Sequence, residues 1–421
     1  MSLLTFHGTL QNVSLYTFSV ILGAFLLGYI FLVRRFRYRR MEEMNHPYRT
    51  AKRPLSSMTA DEAHTLMTQL QELEFPSAFT KARTISLLKA GGIPTMSKLF
   101  AVTGQNNRKN SGKRMIDTEV LLREAQTRHP TSERYMRAVA RMNYLHSRYR
   151  KAGKILDEDM LHTLGSGIVE IFRVVDTDEW RTLTDAEKCA VGIFHRNLGE
   201  DMGIPFTPLP SCERGWRDGL HFARELYEWT GGYEKRVAKP CSSNDAYVRV
   251  YVDSATKSLP KAVTTLTRKL VASELDDTMR ISLCLESPGH ILLWTTATIR
   301  WLRKMVLRYL CLPRPAAFAI KAVEDQPNPV TGLYNFQQLS VRPWYVRPTF
   351  WNRWSLSALI LRVFGGKVPS TSGVKYHPEG YNLLTIGPER NAGKGLDDMG
   401  ATIRYLQARG VVECPFKHKS Y

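Results

Sequence analysis

His146 has the setting that points most directly to chemistry. It follows Tyr135, Val139 and Met142 at i, i+4, i+7 and i+11, so one helical face carries three apolar side chains and an imidazole. A lone histidine on such a face can be a satisfied core residue. It can also be the single axial ligand of a haem. Arg141, Arg148 and Arg150 stand in the same helix, where guanidinium groups could pair with haem propionates. His162 and His195, on predicted helices downstream, are rival ligands. The residue types alone leave these readings open.

Other chemistries fail for want of their patterns. There is no GxGxxG after a strand, no GxxxxGK[ST], no HExxH and no GxSxG. The histidine boxes of membrane di-iron desaturases and the cysteine loop of cytochromes P450 are missing too. Asp276-Asp277 is a lone acidic pair, too sparse for a prenyltransferase magnesium site. Cys189, Cys212, Cys241, Cys284, Cys311 and Cys414 form no CxxC pair and read as reduced core thiols.

The elements that must position these residues read as helices. Residues 54–103 are helical, opened by a Thr59/Asp61 cap, and 104–113 form a polar loop. The helix of His146 runs over 131–150, starting at Thr131-Ser132-Glu133 after Pro130, with Gly153 as its stop. A helix over 157–175 follows. The capping box Thr184–Glu187 opens a helix through Met202, which Gly203 and Pro205 end, and 216–229 is helical again. Few alternating segments occur and no repeat, so the body is expected to be one globular all-α domain.

Tyr16–Val33 is an uncharged, proline-free run of 18 residues. At 1.5 Å per residue it spans a hydrocarbon layer of ~30 Å. It exceeds a signal-peptide core and has neither a basic n-region before it nor a small-residue cleavage site after it. Arg34, Arg35, Arg37, Arg39 and Arg40 follow, whereas residues 1–15 carry no Lys, Arg, Asp or Glu. The positive-inside rule then predicts a lumenal N-terminus (1–15), a transmembrane helix (16–33), a basic juxtamembrane segment (34–53) and a cytosolic body (54–421). Asn12-Val13-Ser14 is a glycosylation sequon on the lumenal side.

The formal charge is +20, from 59 Lys and Arg against 39 Asp and Glu. The juxtamembrane cluster accounts for part of it as attraction to an anionic leaflet, so membrane lipids rather than nucleic acid are the expected partner. Residues 291–312 and 341–354 interleave basic and aromatic side chains, a composition suited to a membrane interface. The alternative is a helix pair buried in the core with a solvated basic edge.

Four segments carry a resemblance to a known family: 70–105 (LQELEFPSAFTKARTISLLKAGGIPTMSKLFAVTGQ), 134–164 (RYMRAVARMNYLHSRYRKAGKILDEDMLHTL), 179–205 (EWRTLTDAEKCAVGIFHRNLGEDMGIP) and 345–354 (YVRPTFWNRW). Together they resemble the mpaB-type ER-bound oxygenases of fungal meroterpenoid biosynthesis. More distantly the chain is similar to the latex-clearing rubber oxygenases, which are all-α b-type haem dioxygenases. The resemblance implies an ER-membrane enzyme with haem b that uses O2 to cleave a C=C bond in a lipophilic prenylated substrate. In the mycophenolic acid pathway the family's member shortens a farnesyl chain. Residue by residue, the R-x3-T motif of the haem relatives matches Arg114 to Thr118, and their axial histidine matches His146 in LHSRYR. The implied roles are iron ligand for His146, propionate or substrate-acid binding for Arg114, and a hydrogen bond to bound O2 from Thr118. Arg141 and Arg148 are expected near the propionates. Two departures stand out: Asp117 replaces the lysine before the threonine, and no glutamate lies shortly upstream of Arg114 to match the relatives' base. The contrasting expectation is a non-catalytic ER-anchored helical protein that binds lipids or a partner.

Overall fold

The structure, a computed structural model, describes residues 3–49, 53–104, 106–107, 109–256, 260–363, 365–370, 374–410 and 416. The side chains of 3–16, 253–255 and 374 fall outside that description. Among the described residues there are sixteen α-helices and no strand, with two isolated antiparallel bridges, Val323–Phe336 and Tyr334–Tyr381. The all-α expectation holds.

The first helix, α1 (Leu3–Arg49), carries the apolar run without a break into the basic segment. It is the helix whose length and hydropathy suit a membrane span. Asn12 lies in its N-terminal part, where side chains are not described. Phe25, Leu27 and Phe31 are exposed, but Val33 and Arg37 are buried, so the helix meets the body there. Arg37 Nε donates to the Cys311 carbonyl at 2.7 Å, and Arg40 reaches Glu74 at 3.0 Å and the Arg314 carbonyl at 2.6 Å. Part of the basic cluster therefore faces protein, while Arg34, Arg35 and Arg39 remain exposed.

The core helices are α2 (Ala60–Gln69), α3 (Pro76–Ala90), α4 (Pro94–Val102), α5 (Ser111–Thr127), α6 (Glu133–Lys151), α7 (Asp157–Asp178), α8 (Asp185–Asp201) and α9 (Gly219–Val237). The Thr184–Glu187 capping box forms at α8, and Thr59 caps α2 as expected, but its box partner is Glu62 and not Asp61. Ser132 caps α6. The polar loop is shorter than predicted, because the Asn107 carboxamide accepts from the amides of Lys109 and Asn110, turning the chain straight into α5. Helix α9 starts at Gly219 rather than 216, since Asp218 is its cap and Trp216 packs edge-on against Phe206 and Phe222. Only Cys189 is a core thiol; Cys212, Cys241 and Cys311 are partly exposed, Cys284 is exposed, and Cys414 lies outside the described residues.

Then come α10 (Ser242–Thr256), α11 (Lys261–Ala272), α12 (Asp277–Ser282), α13 (His290–Tyr309), α14 (Phe350–Trp354), α15 (Leu356–Val363) and α16 (Leu396–Arg409). Asp276, half of the acidic pair, caps α12 and binds Lys89 at 3.1 Å. Lys89 also holds Glu170 at 3.0 Å and Glu234 at 3.2 Å. One ammonium thus ties α3 to α7, α9 and the start of α12. Between α13 and α16 runs a long irregular strap. Arg128 and Arg134 bind its carbonyls at 323–325, Tyr345 its partner Asp117, and α16 packs on α6.

Helices α8 and α9 cross at two glycines. A Cβ on Gly192 would lie 1.8 Å from the Gly219 carbonyl oxygen, and one on Gly219 would lie 2.3 Å from that of Cys189. Backbone cannot yield as a flexible side chain can. Gly192→Ala should therefore lower stability by about 1–3 kcal/mol or more. Thermal unfolding followed by circular dichroism in detergent would read this as a lower Tm, and an unchanged Tm would refute the tight crossing.

Candidate active site

A part-open cavity of about 360 Å³ lies between α5, α6, α7 and α8, with α3, α4 and α10 completing its sides and residues 387–391 of the strap its rim. Its walls are mostly aliphatic and aromatic, from side chains such as Leu99, Phe100, Met142, Leu164 and Ile171. Four polar groups matter: His146, His195, Arg114 and Thr118.

His146 reaches the cavity because it extends the Tyr135–Val139–Met142 face, all three of which are buried. Its Nδ1 is buried with no hydrogen-bond partner, which leaves Nε2 as the nitrogen open to the cavity. Burial, reinforced by Arg150 and Arg114, drives its pKa down to about 4, so the ring is neutral at physiological pH. His195 is likewise neutral, its pKa lowered to about 4 by burial. Its Nδ1 lies 2.8 Å from the Val191 carbonyl. A carbonyl can only accept, so the proton sits on Nδ1 and Nε2 keeps its lone pair. That nitrogen faces Gly167, whose hypothetical Cβ would approach it to 3.0 Å. Two neutral imidazoles on one mostly apolar cavity are nitrogen donors of the kind that suits iron. His195 has the oriented N–H that usually supports a metal-binding imidazole; His146 is held by packing.

Arg114 projects from α5 into the same space. Its guanidinium stacks 3.9 Å from the Phe100 ring centroid and has no carboxylate partner among the described residues. Burial lowers its pKa. An unpaired buried cation costs free energy unless an anion completes it. Thr118 is on the wall, but its hydroxyl donates to the Arg114 carbonyl at 2.9 Å. Asp117 is explained by its neighbours: Lys113 Nζ at 2.8 Å and the Tyr345 hydroxyl at 2.6 Å bind it, opposing the upward pull of burial on its pKa. This aspartate fastens the strap to α5.

The remaining expected residues sit elsewhere. Arg141 is fully buried away from the cavity wall, donating to the carbonyls of Ile386 at 2.7 Å and of Thr385 and Asn391 at 3.1 Å. Arg148 is exposed and off the wall. His162 is bound to Glu234 at 3.0 Å, also off the wall. Sequence reading missed Phe100, Tyr247 and Tyr251, and the rim residues Arg390 and Asn391. An aromatic helical face gave some signal for the first three; nothing local marks the rim.

No protein-family model matches the chain. Curated relatives do. The chain is 36% identical over 402 residues to "ER-bound oxygenase mpaB'" of Penicillium brevicompactum, covering 94% of each protein. It is 36% identical over 358 residues to "ER-bound oxygenase mpaB" of the same organism, 85% of each. It is 37% identical over 261 residues to "ER-bound oxygenase mpaB" of Penicillium roqueforti (strain FM164), 61% of this chain and 86% of that one.

The half-buried Arg114 and the buried Lys89 should behave oppositely when neutralised. Arg114→Met removes a charge with no partner and should leave the stability of the ligand-free protein within about 1 kcal/mol of its starting value. Lys89→Met strands three carboxylates and should cost about 3–5 kcal/mol. Tm values of both variants in detergent check this; an equal loss would mean that Arg114 is structural.

Proposed function

Given that the chain belongs to the mpaB family of ER-bound oxygenases, we propose that it is a haem b enzyme that oxidatively cleaves a C=C bond in the prenyl, farnesyl-type side chain of a meroterpenoid intermediate. The observation that carries the reading is the pairing, on one apolar cavity, of neutral imidazole nitrogen with a half-buried guanidinium that has no carboxylate partner among the described residues. His146 would hold the iron through Nε2, and Arg114 would take an anionic group, a haem propionate or a substrate carboxylate. Bound haem would supply the iron at which O2 is activated.

The chain's own residues supply the rest. Aliphatic and aromatic walls exclude water and accept a prenyl chain at little desolvation cost. Phe100 keeps the Arg114 plane fixed, so an anion meets a pre-oriented donor fork. The Thr118 hydroxyl keeps its proton on the Arg114 carbonyl and so presents acceptor lone pairs; the role of donor to bound O2 requires it to leave that bond. Anchoring through α1 keeps the enzyme where a farnesylated substrate partitions. The charge asymmetry around residues 16–33 supports a cytosolic body with residues 1–15 lumenal.

A second reading has its own observation: His195, with Nδ1–H already aimed at Val191, as the iron ligand. Spectra separate them. Purified protein should show a Soret band, which His146→Ala should abolish while helical circular dichroism persists. Retention in that variant, with loss in His195→Ala, would transfer the role. Colourless protein that cannot be reconstituted with haem would favour a non-catalytic binding protein. With a farnesylated aromatic under 18O2, the product should be a shortened chain with a labelled, trapped carbonyl. An epoxide or allylic alcohol of unchanged carbon count would refute cleavage.

Orientation is read separately. Protease added to sealed microsomes should remove a C-terminal tag, and a protected tag would reverse the topology.

A further inference from the structure

Helix α13 is amphipathic the wrong way round for a soluble protein. Its cationic stripe points inward: Arg300 binds Glu274 at 2.6 Å and Asp178 at 3.4 Å, and Lys304 binds the Asp176 carbonyl at 2.7 Å. Arg303 completes the stripe, pairing with Glu179 at 3.0 Å. The opposite face is apolar and bare. Ile291 is 85% exposed, Trp294 73%, Ile299 59%, Trp301 57% and Leu302 50%. No residue of the helix is buried. For α13 the buried-pair alternative is thereby corrected, since its charges face the body and its hydrophobic side faces out, because Asp178 and Glu179 at the end of α7 and Glu274 just past α11 are what its cations meet; Trp344 and Tyr345 of the second basic-aromatic segment are buried.

This face is continuous with the anchor. The Tyr29 hydroxyl, within the apolar run of α1, donates to the Leu310 carbonyl at 2.9 Å, and the Arg34 guanidinium lies 5.7 Å from the Tyr309 ring. The C-terminal end of α13 thus sits beside α1 where that helix meets the body. Two exposed indoles on an apolar face beside a membrane span match the interfacial preference of tryptophan.

The geometry points to α13 as a second membrane contact, lying in the bilayer interface with its Ile291–Trp294–Trp301–Leu302 face among the acyl chains. The body is then held against the lipid surface instead of hanging from a single tether. The contact does not depend on the oxygenase reading.

Full-length protein in phosphatidylcholine nanodiscs, with and without bromine on the acyl chains, tests this, because bromine quenches indole emission on contact. Helix α1 contains no tryptophan, and Trp180, Trp216 and Trp344 are buried; Trp351 and Trp354 are exposed and are replaced by Phe in every protein compared, so that the signal reports on α13. Brominated lipid should quench emission, and Trp294→Phe combined with Trp301→Phe should lose most of that quenching. Adding Ile291→Trp to the double variant should restore it. Quenching equal in the chain that keeps Trp294 and Trp301 and in the double variant would overturn the contact. So would emission from Trp294 and Trp301 that bromine does not touch but that is shielded from aqueous iodide, since a protein partner would then cover the face.

Discussion

Lys89 is the fixed point of the body. Its ammonium is buried, and burial alone would make it unstable as a charge; Glu170, Glu234 and Asp276 reverse that and raise its pKa. Three carboxylates around one cation leave an excess of negative charge, which Arg173 on Glu170 helps to relieve, while the His162 ring makes a hydrogen-bond contact with Glu234 at 3.0 Å. Every partner comes from a different element, so the network specifies how α3, α7, α9 and α12 sit together. Helices α3 and α7 are also walls of the cavity. The mostly apolar chamber is therefore framed by a polar knot outside it, while Arg83 and Asp117 on its own wall are paired with Glu119 and Lys113.

That division explains why Arg114 is informative. Most buried basic groups here have evident duties. Arg83 and Arg123 share Glu119, Arg134 binds Glu124, Arg181 binds Glu187, and Arg141 is consumed by backbone carbonyls. Arg114 has an aromatic ring beneath it and open space before it. The general surplus of positive charge reads as surface character in the sequence, yet several of those residues are internal fasteners. Arg37, Arg40, Arg300, Arg303 and Lys304 hold the anchor region and α13 to the body.

What could be read in advance was local. The Thr184–Glu187 capping box, the helical face ending in His146 and the apolar run of α1 are each set by near neighbours in the sequence, and all appear in the fold. Arg141 shares its helix with His146, and sequence spacing cannot distinguish a side chain aimed at a cavity from one aimed at backbone 245 positions away. The inversion of α13 was hidden for a related reason. Periodicity shows that a helix has two faces, but which one turns inward depends on Asp178, Glu179 and Glu274, brought there by the tertiary fold. Likewise Asp117 looks like a lost lysine until Lys113 and Tyr345 are seen around it.

The strap has a consequence in time. Its residues 387–391 complete the chamber that His146 opens onto, and Arg141 fastens the adjoining Ile386 carbonyl across 245 positions of chain. At about 5–20 residues per second, synthesis needs on the order of 10–50 s to go from one to the other. During that interval α1 has already left the ribosome and can enter the bilayer, while the chamber lacks a rim. The apolar anchor is therefore available to the bilayer well before the rim of the chamber exists, and the last wall of the cavity is laid down on a chain already held at a membrane surface.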